Sequence, residues 1–79
     1  MTSANTRNRT EIISTILETC KGSSKRAEIM FASYLPFEQV NEYLDELVMN
    51  GLLAYNPHKR VYNLTSKGSR FLEFQKEIL

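Results

Sequence analysis

Lys59 and Arg60 stand side by side behind Asn56, Pro57 and His58, so a stretch rich in turn formers ends in two adjacent cations. Such a pair at an exposed chain reversal is suited to holding phosphate oxygens, and Lys25 with Arg26 forms a second pair of the same kind. Gln39, Asn41 and Tyr43 offer a different chemistry. A glutamine amide can make two hydrogen bonds to an adenine edge, and Asn41 or Tyr43 can reach a base edge or a phosphate. Each also has a plainer reading: Tyr43 packed against its own domain, Gln39 and Asn41 solvated, and the cations serving solubility alone.

Catalysis finds little support in the residue types. Cys20 and His58 are each the sole example of their kind, and they fall on separate predicted elements. No nucleophile with a nearby base can be assembled from them, and no metal set of cysteines and histidines exists. Cys20 is expected to be a small packing residue, with a disulfide between two subunits as the other option. Gly22, Gly51 and Gly68 are far apart, so no phosphate-cradling glycine loop is present. We therefore expect no enzyme, cofactor, metal or small-molecule substrate. A chain of 79 residues fits one small domain. No apolar run approaches the roughly 20 residues of a membrane span, and residues 1–8 are polar, so a cytoplasmic protein is expected.

The elements that must position these side chains follow from periodicity. Residues 1–7 carry little that could anchor them and are expected to be a flexible tail, with one domain over 8–79. Ile12, Ile13, Ile16, Leu17 and Cys20 recur at helical spacing, predicting a first helix over Arg9–Cys20. Ser24 reads as an N-cap for a second helix over Lys25–Ala32 that buries Ala27, Ile29, Met30 and Phe31. After Ser33, Tyr34 and Leu35, Pro36 fits the first turn of a third helix, Pro36–Asn50. In that helix Phe37, Val40, Leu44, Leu47 and Val48 share one face, while Glu38, Glu42, Asp45 and Met49 lie opposite. Gly51 is a natural stop. Leu52–Tyr55 and Val61–Leu64 read as two strands around the basic turn, and Thr65 caps a last helix through Phe71, Leu72, Phe74, Ile78 and Leu79.

Charge is segregated along this plan although the formal total is only +1. The third helix holds Glu38, Glu42, Asp45 and Glu46 with no Lys or Arg, whereas Lys59, Arg60, Lys67 and Arg70 follow it with no acid before Glu73. A helix ended by glycine and followed at once by a basic-tipped hairpin outlines an α+β, mainly α, winged helix-turn-helix: three helices, a two-stranded β-hairpin wing and a C-terminal helix. That fold offers a helix and a hairpin to a DNA duplex.

The chain also resembles the archaeal winged-helix DNA-binding proteins of the SSO10a type from Arg7 to its end. The likeness is carried by Glu11-Ile12-Ile13, Ile16-Leu17-Glu18, Ile29-Met30-Phe31, Tyr43-Leu44-Asp45-Glu46-Leu47, Gly51-Leu52-Leu53, Tyr62-Asn63-Leu64-Thr65-Ser66-Lys67-Gly68 and Phe71-Leu72. It implies a homodimer joined through the last helix and bound to double-stranded DNA, and the expected role is that of an archaeal or archaeal-virus transcription regulator. The broad apolar strip of that helix, Phe71, Leu72, Gln75, Ile78 and Leu79, is the expected seam. On this reading Lys25, Arg26, Lys59 and Arg60 hold phosphates while Gln39, Asn41 and Tyr43 sample bases. The alternative is a winged helix that docks a basic protein on its acidic third helix.

Overall fold

The computed structural model describes residues 8–78, with side chains through residue 75. The expected tail over 1–7, and the side chains of Ile78 and Leu79, lie outside the described residues. Helix α1 spans Arg9–Thr19 and runs into a single 3-10 turn, Cys20–Gly22; α2 spans Arg26–Ser33 and α3 spans Phe37–Met49. Strands β1, Leu53–Asn56, and β2, Val61–Leu64, form an antiparallel hairpin, and α4 covers Ser66–Ile78.

The helix ends follow local chemistry. Asn8 opens α1 with a reciprocal cap, accepting from the Glu11 amide at 2.8 Å while the Glu11 carboxylate accepts from the Asn8 amide at 3.3 Å. At α2 the cap shifts by one residue from the expected Ser24. Lys25 takes the N-cap position, and its backbone N–H donates to Glu28 Oε1 at 2.8 Å. Ser24 is buried because its backbone pairs in both directions with Tyr62, adding a one-residue third strand to the hairpin. Pro36 likewise falls at the N-cap of α3 rather than in its first turn, where its missing N–H is equally harmless. The other end of α3 closes as a Schellman motif: Gly51 at φ +80 donates to Val48 O, and Leu52 N–H donates to Leu47 O at 2.9 Å. Lys67 Nζ donates to Asn50 O at 2.8 Å, placing a cation on the negative end of the helix dipole.

The core gathers Ile16, Leu17, Cys20, Ile29, Val40, Leu44, Leu47, Leu52, Leu53, Tyr62 and Leu72, so every regular element contributes. Each such aliphatic side chain adds roughly 1.5–3 kcal/mol of burial free energy. Ala27 and Phe31, expected inside, are exposed. Helix α2 has only eight residues, and Ile29 and Ser33 with half-buried Met30 fill the stripe that faces the core. Leu72 is 3% exposed and packs in its own protomer's core, so it cannot serve the intersubunit seam for which its spacing suggested it.

Candidate nucleic-acid interface

The hairpin register pairs Leu53 with Leu64, Tyr55 with Tyr62 and Asn56 with Val61, which leaves residues 57–60 as the tip. Asn56 organises that tip: its Oδ1 accepts from the backbone of His58 at 2.9 Å and of Lys59 at 3.1 Å, and its carbonyl accepts from Arg60 N–H at 2.7 Å. Closing the turn this way puts Arg60 at φ +58, the left-handed region that glycine or asparagine ordinarily fills. Lys59 and Arg60 are both exposed, and Arg60 sets a cationic side chain at a position whose backbone conformation disfavours it.

Lys25 and Arg26 part company in three dimensions. Lys25 is exposed beside β2, because the Ser24–Tyr62 bridge holds the start of α2 against the wing. Arg26 is half-buried: Nη2 donates to the Tyr62 hydroxyl at 2.7 Å, and the guanidinium stands 5.8 Å from the Tyr62 ring and 5.9 Å from the Phe37 ring. Its Nε is enclosed without a hydrogen-bond partner. Arg26 thus clamps α2 and α3 to the wing, a structural duty that competes with the phosphate role read from its position in the chain.

Helix α3 separates the three base-reading candidates. Gln39 and Asn41 are two residues apart and therefore roughly 200° apart around the axis. Asn41, half-buried, lies on the side of α3 that Phe37 and Val48 occupy, towards the hairpin. On that side Arg26, Asp45, Val48, Met49, Tyr55 and Tyr62 line an open cleft of about 630 Å³. Gln39 and half-buried Tyr43 lie on the other flank together with Glu42, Glu46 and Arg9, around a polar cleft of about 310 Å³. Between the flanks runs a ridge of exposed Glu38, Glu42 and Asp45. Among the described residues no cation pairs with those three acids.

Glu46 differs from them. Arg9, from the first turn of α1, forms an ion pair with the Glu46 carboxylate, and its guanidinium stands 5.2 Å above the centre of the Tyr43 ring. The hydrogen bond that Arg9 donates to Glu46, and then the charge of that carboxylate, push the pKa of Arg9 above its already high ordinary value. Sequence reasoning missed Arg9 because 37 positions of chain separate it from Glu46, and no local pattern links them.

On α4, Phe71 and Gln75 are half-buried and Phe74 is 60% exposed. Gln75 Oε1 accepts from the Ser14 hydroxyl of α1, so Gln75 is engaged within the protomer. Cys20 is fully buried, out of reach of a second chain, and desolvation pushes its thiol up to about 12, which keeps it protonated. Among the described residues there is no group of three His, Cys, Asp or Glu poised for a metal, and no helix is long and apolar enough to cross a membrane.

The model of the family described as "Winged helix-turn-helix" matches residues 6–79. Among solved structures, Sso10a-2, a DNA-binding protein from Sulfolobus solfataricus, superposes with a TM-score of 0.83 at 24% identity, over 91% of this chain and 78% of that one. Bordetella bronchiseptica BpsR, whose DNA binding is regulated by 6-hydroxynicotinic acid, superposes with a TM-score of 0.73 at 16% identity over 94% of this chain. This chain spans just over half of that second structure, 56% of its length. No curated protein matches the chain. The sequence resemblance to the SSO10a type is thus matched by a shared fold.

Proposed function

Because the chain belongs to the winged helix-turn-helix family, we propose that it binds double-stranded DNA as a homodimeric transcription regulator of the archaeal kind the resemblance implies. The observation that carries this reading is the wing tip, where Arg60 keeps a cationic side chain in a left-handed backbone conformation beside Lys59. Strained backbone conformations cluster at functional sites, and of the three described non-glycine residues with positive φ, Ser23, Tyr34 and Arg60, the arginine is the one at the basic tip. Lys25, next to the wing, extends the cationic strip. Phosphate contact through these groups fixes register, while Gln39 and Tyr43 supply base contacts from their flank of α3.

The test is a fluorescence anisotropy titration of mixed-sequence duplex at several salt concentrations. Replacing Lys59 and Arg60 with alanine lowers the slope of log K against log salt by about 0.9 for each phosphate no longer neutralised. An unchanged slope removes the wing from the interface. Arg60→Gly separates conformation from charge: it relieves backbone strain of about 1 kcal/mol, raising Tm by roughly 4–8 °C, yet weakens binding.

The homodimer is part of the proposal. Phe74 is exposed on α4 next to half-buried Phe71, an apolar surface suited to a second copy. Two copies related by a twofold axis can engage two half-sites on one duplex. Static light scattering of the unaltered protein is expected to give twice the protomer mass, and a monomer at all concentrations would remove the seam from the proposal. A second reading, a module that docks a basic protein, is favoured by the exposed acids Glu38, Glu42 and Asp45 of α3.

A further inference from the structure

We infer that Arg9 is a positioning residue for DNA reading, cancelling the charge of Glu46 and holding Tyr43 so that the Gln39–Tyr43 flank of α3 is the part that approaches the bases. The inference rests on the DNA-binding reading above and names which side of α3 does the reading. A duplex carries one negative charge per about 1.7 Å of axis, so an acidic helix is admitted only where its acids are neutralised or turned aside. Of the acids on α3, Glu46 is the one that Arg9 neutralises, and it lies on the flank that carries Gln39 and Tyr43. The same guanidinium covers the Tyr43 ring at 5.2 Å, which fixes the ring that borders Gln39.

The placement of Arg9 is not explained by helix stability. A cation in the first turn of a helix opposes the dipole. An ion pair whose side chains are 56% and 46% exposed adds little to folding. What the pairing changes is the potential along one flank of α3, which keeps a single unpaired acid, Glu42 at its border with the ridge, where it would otherwise present two.

Anisotropy titrations with mixed-sequence duplex at 0.1 M salt test this on the full chain, alongside thermal melts. Arg9→Ala is expected to bind about eightfold more weakly, the weight of one ionic interaction at that salt, with a melt close to that of the unaltered protein. Glu46→Gln in the same chain removes the exposed acid and restores affinity to within about threefold. Glu46→Gln alone binds as tightly as the unaltered protein or more tightly, although it breaks the ion pair. A purely structural pair predicts the opposite sign for that last variant, which would overturn the inference. It is also overturned if Arg9→Ala binds normally, or if its weaker binding is not restored by Glu46→Gln while the salt slope falls by about 0.9, the signature of direct phosphate contact. Failure of the unaltered protein to bind duplex at low salt would instead refute the DNA-binding reading itself, so the two failures are distinguished by the first titration.

Discussion

Replacing Gly68 with alanine is expected to lower Tm by about 10–20 °C, the largest change we anticipate from adding one methyl group to this chain. A Cβ at this position would stand 2.3 Å from Leu52 O, 2.6 Å from Leu64 Cδ1 and 3.2 Å from Leu52 C. The Leu64 side chain can swing aside. The Leu52 carbonyl cannot, because Leu52 is locked on both sides: its N–H closes the end of α3 on Leu47 O, and its O accepts from Thr65 N–H at 3.2 Å. Thr65 adds a further tie, donating through its hydroxyl to Gly51 O at 2.6 Å and accepting from Gly68 N–H at 3.0 Å. Alanine must therefore push the start of α4 away from the base of the wing. Overpacking of this kind costs roughly 1–3 kcal/mol, and contact with backbone puts this site at the upper end. Alanine's better helix propensity returns at most about 1 kcal/mol. The net loss is a large share of the roughly 5–15 kcal/mol that holds a domain together. Calorimetry or a circular dichroism melt reads the effect directly, and a Tm within a few degrees of the unaltered protein would show that the junction of α4 and the wing can yield.

Charge reversal on the ridge of α3 should have the largest effect on binding. With Glu38→Lys and Glu42→Lys together, affinity for mixed-sequence duplex at 0.1 M salt is expected to rise at least tenfold, and about sixtyfold if both lysines reach phosphates. The slope of log K against log salt should steepen by about 1.8 in that limit. Both residues are exposed, and neither is paired with a cation among the described residues, so the substitutions disturb no packing. Each reversal removes a repulsion and adds an attraction, whereas deleting a wing cation removes an attraction alone. An unchanged affinity would mean that α3 stays far from the duplex, and would favour the acidic ridge as a surface for a basic protein. Weaker binding to such a partner with no change toward DNA would decide between the two.

Much of this fold is legible in the chain because its determinants are local. The apolar spacing of Ile12 to Cys20 and of Phe37 to Val48 sets two helices, Gly51 ends the second, and Asn56-Pro57 turns the hairpin at the observed place. Where the structure departs from local reasoning, either an interaction distant in sequence intervenes or the element is too short to bury all of its apolar residues. Ser24 was a sound cap by type, yet its backbone pairs with Tyr62, 38 positions along, and the cap moved to Lys25. Phe31 was apolar and in phase, but α2 is short and its inner stripe was already filled. Leu72 looked like part of a seam between copies until α4 turned it into the protomer's own core.

The candidate interface divides in the same way. The linear order of residues determined that cations cluster around the third helix while acids lie along it, and that two of those cations crown a hairpin, since neither property depends on how distant segments meet. Only the tertiary structure decided which charges are engaged internally. Arg26 is drawn onto Tyr62 and Phe37, Lys67 onto the end of α3, and Arg9 onto Glu46 and Tyr43, leaving Lys25, Lys59 and Arg60 exposed near the wing. A charged side chain acts over a few ångströms, and which groups come within that range is set by the packing of the helices against the hairpin, not by their separation along the chain.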